Sequence, residues 1–210
     1  MSGKRLLTAS LIAVTTLLAS ASAQKNEIAG GVGRTFIANQ GIKAGAIPLL
    51  NNTVHFGNGL SFELSYARHL AGNSVYRLDA EVPFIGNPDE DLASGNGGVP
   101  SQYSAYFIAP SARIKLVPDN VFQPWISIGG GYGRFNMNRT LVYGGANPGP
   151  STKNSGLVQG GVGLDVRTFK KAGIRLAARD FWSGALPLNV NTGKSHQHNI
   201  VVTGGLVFDF

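Results

Sequence analysis

Apolar and polar residues alternate singly along most of this chain, the period-two signature of strands with two unlike faces. The alternation is clearest over Leu60–Leu70, where Leu60, Phe62, Leu64 and Tyr66 interleave with Ser61, Glu63, Ser65 and Ala67. At the far end of the chain Ile200, Val202, Gly204, Leu206, Phe208 and Phe210 share one face, opposite Asn199, Val201, Thr203, Gly205, Val207 and Asp209. The same pattern predicts eight strands, at approximately Glu27–Phe36, Leu60–Leu70, Val75–Phe84, Gln102–Val117, Phe122–Phe135, Gly156–Thr168, Ile174–Trp182 and His198–Phe210. Pro110 removes a ladder hydrogen bond from the fourth, so a bulge or an earlier strand end is expected there. Asp180 falls on the apolar parity of the seventh, so that strand is expected to end or bulge near it.

The connections alternate in length. Ile37–Gly59, Ile85–Ser101, Asn136–Ser155 and Ser183–Gln197 are long and polar, whereas Ala71–Ser74, Pro118–Asn120 and Phe169–Gly173 are short. All the long connections therefore fall at one end. This predicts an all-β, eight-stranded antiparallel up-and-down transmembrane β-barrel, with its apolar face outward in lipid. A soluble lipocalin-type barrel is the same pattern with the faces inverted. Aromatic residues favour the transmembrane reading. Phe36, Phe62, Phe84, Tyr106, Tyr132, Phe135 and Trp182 lie towards the long-loop ends, and Tyr66, Tyr76, Phe208 and Phe210 towards the short-turn ends, as two interfacial girdles.

Residues 1–23 have the build of a cleaved signal peptide: Lys4 and Arg5, an apolar run from Leu6 to Leu18, and Ala21-Ser22-Ala23 as cleavage site. The barrel domain is then 24–210. The chain contains no cysteine, which excludes disulfides and lipoprotein anchoring. The formal charge of +7 is scattered, with no basic run or helix, so nucleic acid is not an expected partner.

If the apolar face is outward, Glu63, Arg77, Asp79, Glu81, Arg113, Lys115, Asp165, Arg167, Arg175 and Arg179 face the lumen, four acids against six bases. An eight-stranded interior is just wide enough for side chains to fill it. The expectation is a plugged, ion-paired lumen; a narrow charge-selective pore is the alternative. The glycine clusters Gly30-Gly31, Gly129–Gly131, Gly160-Gly161 and Gly204-Gly205 precede no helix, so they are not nucleotide loops. Ser195-His196-Gln197-His198 could serve an outer-membrane lipid-modifying enzyme, but no acid is placed to orient a histidine, and a solvated loop is expected. Asp89-Glu90-Asp91 lacks the pattern of an established calcium loop and is likewise expected in solvent. No catalytic residue, cofactor or metal is assigned.

The eight amphipathic strands, the alternating loops, the signal and the closing Leu206-Val207-Phe208-Asp209-Phe210 together resemble the small outer-membrane β-barrel family typified by the transmembrane domain of outer membrane protein A. The resemblance covers essentially the whole barrel domain. It implies a monomeric, porin-like integral protein of the Gram-negative cell outer membrane, embedded in outer-membrane lipid. Its role would be structural or surface-interacting through four extracellular loops, with an unidentified extracellular ligand as partner. It also implies that Phe208 and Phe210 are read as an assembly signal by the barrel-assembly machinery.

Overall fold

The structure, a computed structural model, describes residues 26–43 and 53–210; the expected signal peptide lies outside the described residues. Among the described residues eleven strands form: β1 (Asn26–Phe36), β2 (Gln40–Gly41), β3 (Thr53–Phe56), β4 (Leu60–Gly72), β5 (Tyr76–Ser94), β6 (Gln102–Ile108), β7 (Ser111–Leu116), β8 (Phe122–Met137), β9 (Thr152–Arg167), β10 (Ala172–Gly184) and β11 (His196–Asp209). β6 and β7 are two halves of one stave between β5 and β8, and β2 and β3 belong to the first long loop. The remaining strands and this stave make an antiparallel ring of eight. It closes where β1 pairs with β11, from Glu27↔Asp209 to Phe36↔Ile200. No edge is left in the ring, which satisfies every wall position without a partner chain.

The parity of the wall is that of a membrane protein. Leu64, Ile126, Val162, Leu176 and Val202 stand outward and exposed, while Asp79, Glu81, Arg113 and Arg179 are buried inside. The inverted, lipocalin-type arrangement is therefore excluded. At the long-loop end Phe36, Phe62, Tyr132 and Trp182 are exposed on the outer wall, and Phe84 bridges Phe62 and Tyr106 at centroid separations of 6.0 and 6.4 Å. Tyr66, Tyr76, Phe208 and Phe210 ring the other rim. Phe135 does not join the girdle. It shares parity with Trp125 and Ser127, points inward and is fully buried.

Several strand ends differ from expectation for one reason: beyond the bilayer the outward positions no longer need to be apolar, so alternation fades while pairing continues. β5 runs to Ser94 rather than Phe84, carrying the first part of the expected Ile85–Ser101 loop upward as strand. A register shift between Asn87 and Glu90 absorbs Pro88, and Leu92–Ser94 then pairs with β3. Pro110 produces no bulge, but the strand is interrupted there as expected: β6 ends at Ile108 and β7 begins at Ser111. Ile108↔Tyr132 and Ser111↔Gly129 keep the same register across the gap. Ala109 donates to the Pro83 carbonyl and Gly130 to the Pro110 carbonyl, each at 3.2 Å, so the missing N–H is bridged from both neighbours. At Asp180 the ladder also continues without a bulge, through Asp180↔Gly160 and Asp180↔Ile200.

Candidate functional site

The inward face is organised around Glu27, the second residue of β1, whose neighbour Ile28 faces lipid. Four cations converge on its carboxylate: Arg77 at 2.5 Å, Arg175 at 2.6 Å, Arg113 at 2.7 Å and Lys115 at 2.7 Å. Each of these cations reaches a second acid. Arg113 and Arg77 meet Asp79 at 2.8 and 3.1 Å, and Lys115 and Arg175 meet Asp165 at 2.6 and 2.7 Å. One level up, Arg179 joins Glu81 at 2.8 Å and Glu63 at 3.0 Å, and Thr203 donates its hydroxyl to Glu63 at 2.6 Å. The indole of Trp125 lies among the guanidiniums of Arg179, Arg175 and Arg113, 4.9, 5.3 and 5.9 Å from its centroid, and donates Nε1–H to Asp165. Gly163 makes room for that ring, since a Cβ there would overlap it.

Of the ten lumen residues expected from parity, Glu63, Arg77, Asp79, Glu81, Arg113, Lys115, Asp165, Arg175 and Arg179 meet in this layer. Arg167 does not. It occupies the last rung of β9, a third exposed, and only approaches Asp209 at 3.6 Å across the short-turn mouth. Glu27 escaped the sequence reading. The signal was the charge tally: replacing Arg167 by Glu27 turns four acids and six bases into five of each. A buried ionic layer needs that balance, because an uncompensated charge in the lumen is far costlier than a pair.

The lumen is not ionic throughout. Towards the long loops, Phe107 stacks on Phe181 at 4.9 Å and meets Phe135 at 5.6 Å, with Ile85, Tyr103 and Val201 packed around them. Loop residues Val54, Phe56, Val99, Leu186 and Leu188 cover this apolar storey. A layer of neutral hydrogen bonds lies between the two, including Thr35–Ser61 at 2.6 Å, Gln159–Ser127 at 3.1 Å and Asn199–Ser183 at 3.0 Å. A void of about 10 Å³ beside Glu63 and Arg175 has room for no more than one water. At the short-turn mouth the barrel opens into a cavity of about 670 Å³ floored by Arg77 and rimmed by Arg167, Lys170, Lys171, Asp119 and Asp209.

The other candidates land differently. His198 does have an acid: its Nδ1 is 2.6 Å from Asp180, on the outer wall beside Trp182. The two are close because Trp182 pairs with His198 and Asp180 with Ile200, which makes Asp180 and His198 diagonal neighbours. Ser195 hydrogen-bonds His196 rather than His198, at 2.9 Å, so serine, histidine and acid do not form a series. In the acidic triplet Asp89 and Asp91 are exposed, but Glu90 is completely buried, contrary to a solvated loop. The inward turn follows from the register shift at Pro88.

No protein-family model matches the sequence, and no curated protein matches it either. Solved structures do match in fold. The outer membrane protein OprG from Pseudomonas aeruginosa aligns over 90% of this chain and 96% of its own, with a TM-score of 0.54 at 12% identity. The attachment invasion locus protein Ail of Yersinia pestis aligns over 88% and 98% respectively, with a TM-score of 0.48 at 10% identity. Neisserial surface protein A aligns over 89% and 96%, with a TM-score of 0.47 at 11% identity.

Proposed function

We propose that this chain, whose fold is that of the small outer-membrane β-barrels, is an integral protein of a Gram-negative outer membrane that works through its long extracellular loops, with the barrel as a closed, rigid mount. One observation carries the reading: the lumen is sealed twice, by the balanced ion layer around Glu27 and by the aromatic storey around Phe107. A solute pore needs a continuous wet path, and the packing of these two layers speaks against one. Loops mounted on a rigid scaffold are where recognition is built. Outer-membrane lipid is the partner of the apolar wall, and ring closure between β1 and β11 suits a monomer. Phe208 and Phe210, exposed at the rim of the last strand, are the residues offered to the assembly machinery. The test is conductance of the refolded protein in planar bilayers, together with surface labelling of an epitope inserted between Gly144 and Gly145 in intact cells. The reading expects no steady openings and a labelled epitope. Sustained openings of porin size, or an epitope reached only after the outer membrane is permeabilised, would overturn it.

A lipid-modifying enzyme is the second reading, favoured by the Asp180–His198 contact on the lipid-facing wall. It lacks a nucleophile held by His198. Expression should leave the mass of lipid A unchanged; a shift that disappears in His198→Ala would establish the enzyme.

A further inference from the structure

The short turns close round one mouth of the barrel, and each is pinned. In the turn between β9 and β10, the N–H groups of Thr168 and Phe169 donate to the Ala172 carbonyl at 3.1 and 2.8 Å, and Asp209 N–H ties the turn to β11 by donating to the Lys171 carbonyl at 2.9 Å. The turn between β7 and β8 is held from inside, where the buried Gln123 side chain donates to the Pro118 and Asn120 carbonyls at 2.6 and 2.9 Å. In the turn between β4 and β5, Asn73 Oδ1 accepts from the N–H groups of Val75 and Tyr76 at 2.8 and 3.1 Å. The vestibule they enclose, about 670 Å³, is blind, because the ion layer around Glu27 lies behind it. Arg77 on its floor belongs to that balanced layer. On the rim Arg167, Lys170 and Lys171 stand against Asp119 and Asp209. Asp209 is divided between Arg77 at 3.5 Å and Arg167 at 3.6 Å, and among the described residues no acid pairs with Lys170 or Lys171.

We propose that this vestibule binds a small, soluble, multiply charged phosphate anion from the periplasm, held by Arg167, Lys170 and Lys171 over Arg77. Short turns face the periplasm in barrels of this kind. The guanidinium of Arg167 is a planar fork that matches phosphate oxygens, and the two lysines add point charges on flexible stems. Arg77 and Arg167 share one carboxylate at long range, so a phosphate oxygen between them would give both a closer acceptor. With Asp209 already shared, three rim cations face one further acid, Asp119, which suits an anion of more than one charge. A concave site with protein walls and an excess of one sign concentrates ions of the other. The volume falls within the roughly 300–1,000 Å³ of small-molecule sites. The pinned turns hold the rim in place, which reduces the ordering cost of binding. The site opens inside the ring of strands, whereas lipid meets the outer wall, so the phosphate is a soluble one rather than a lipid headgroup.

The test is calorimetric titration of the refolded full barrel, in neutral detergent at low salt, with pyrophosphate as the probe. Wild type should bind one pyrophosphate per barrel, more weakly as salt is added. Lys170→Gln with Lys171→Gln should weaken binding by more than about tenfold, and Arg167→Gln by about tenfold, since each removes charge-assisted contacts. These side chains are exposed or partly exposed, and unheated mobility in SDS checks that each variant is folded. Asp119→Asn should tighten binding, because it removes the opposing carboxylate. Lys194→Gln, in the last long loop, should stay within about twofold of wild type. Dihexanoylphosphatidylglycerol, added as soluble monomer, should not displace the probe. Absence of saturable binding overturns the proposal. So does binding that survives both the lysine pair and Arg167→Gln, and so does a Lys194→Gln loss as large as theirs, which would mark diffuse attraction to the whole barrel. Displacement by the short-chain lipid at concentrations equal to the probe would assign the site to a headgroup and overturn the soluble ligand.

Discussion

Replacing Glu27 by Gln keeps the shape of the side chain and removes the charge on which Arg77, Arg113, Lys115 and Arg175 converge. Four charge-assisted contacts at about 1.5–3 kcal/mol each would sum to roughly 6–12 kcal/mol. That sum overstates the loss, because each cation keeps another acid: Arg77 and Arg113 keep Asp79, and Lys115 and Arg175 keep Asp165. What remains is one uncompensated positive charge in a sealed layer, and breaking a buried pair in this way costs about 3–5 kcal/mol. Arg167→Gln is the internal control. Its side chain is a third exposed and its approach to Asp209 is a loose 3.6 Å, so the expected loss is about 0–1 kcal/mol. Reversible urea unfolding in lipid vesicles, followed by unheated mobility in SDS, gives both values on one scale. A Glu27→Gln barrel within 1 kcal/mol of wild type, or no weaker than Arg167→Gln, would refute the assignment of Glu27 as the centre of the layer.

Gly163→Ala should destabilise by about 1–3 kcal/mol, because the added methyl overlaps the Trp125 ring and the rigid wall gives it nowhere to go; the same titration reads it. Val162→Arg puts a charge on the lipid face midway between the girdles and should cost about 2–4 kcal/mol in thick-bilayer vesicles, falling in thinner ones. Glu90 gives a pH signature. Its carboxyl is raised in the folded protein, so its contribution to cap stability is complete below the ordinary carboxylate range and is lost as pH rises through the raised value. Hydrogen exchange at the Gly59 amide, which donates to Glu90, should therefore accelerate with pH beyond the intrinsic base-catalysed rate, and Glu90→Gln should remove the excess.

The barrel was legible in the sequence because lipid and lumen impose opposite demands on neighbouring residues. Leu64 beside Glu63, or Leu176 beside Arg175, declares its side of the wall without any knowledge of its partners. Legibility failed where those demands relax. Above the girdle the outer face meets water, so the extension of β5 to Ser94 left no alternation to read. Phe135 misled because an aromatic near a loop end fits a girdle, and only strict parity with Trp125 turns it inward. The apolar storey around Phe107 and Phe181 depends on loop residues such as Leu186 and Leu188 folding back over the lumen, a long-range event that no local pattern encodes. Glu27 lay within reach of the sequence, since ten residues with unequal charge cannot fill a sealed lumen. The Asp180–His198 pair was not, because it depends on the cross-strand register of β10 and β11.

The central claim is the sidedness of the wall, and the chain's two tryptophans report on it directly. Trp182 stands on the lipid face at the upper girdle, 45% exposed; Trp125 is enclosed among arginines, 1% exposed. Refolded into vesicles of brominated lipid, Trp125→Phe, which leaves only Trp182, should lose most of its fluorescence relative to the same protein in unbrominated lipid. Trp182→Phe, which leaves only Trp125, should be almost unquenched. Strong quenching of Trp125 by lipid bromine, with Trp182 untouched, would mean the ionic face is outward and would contradict the account.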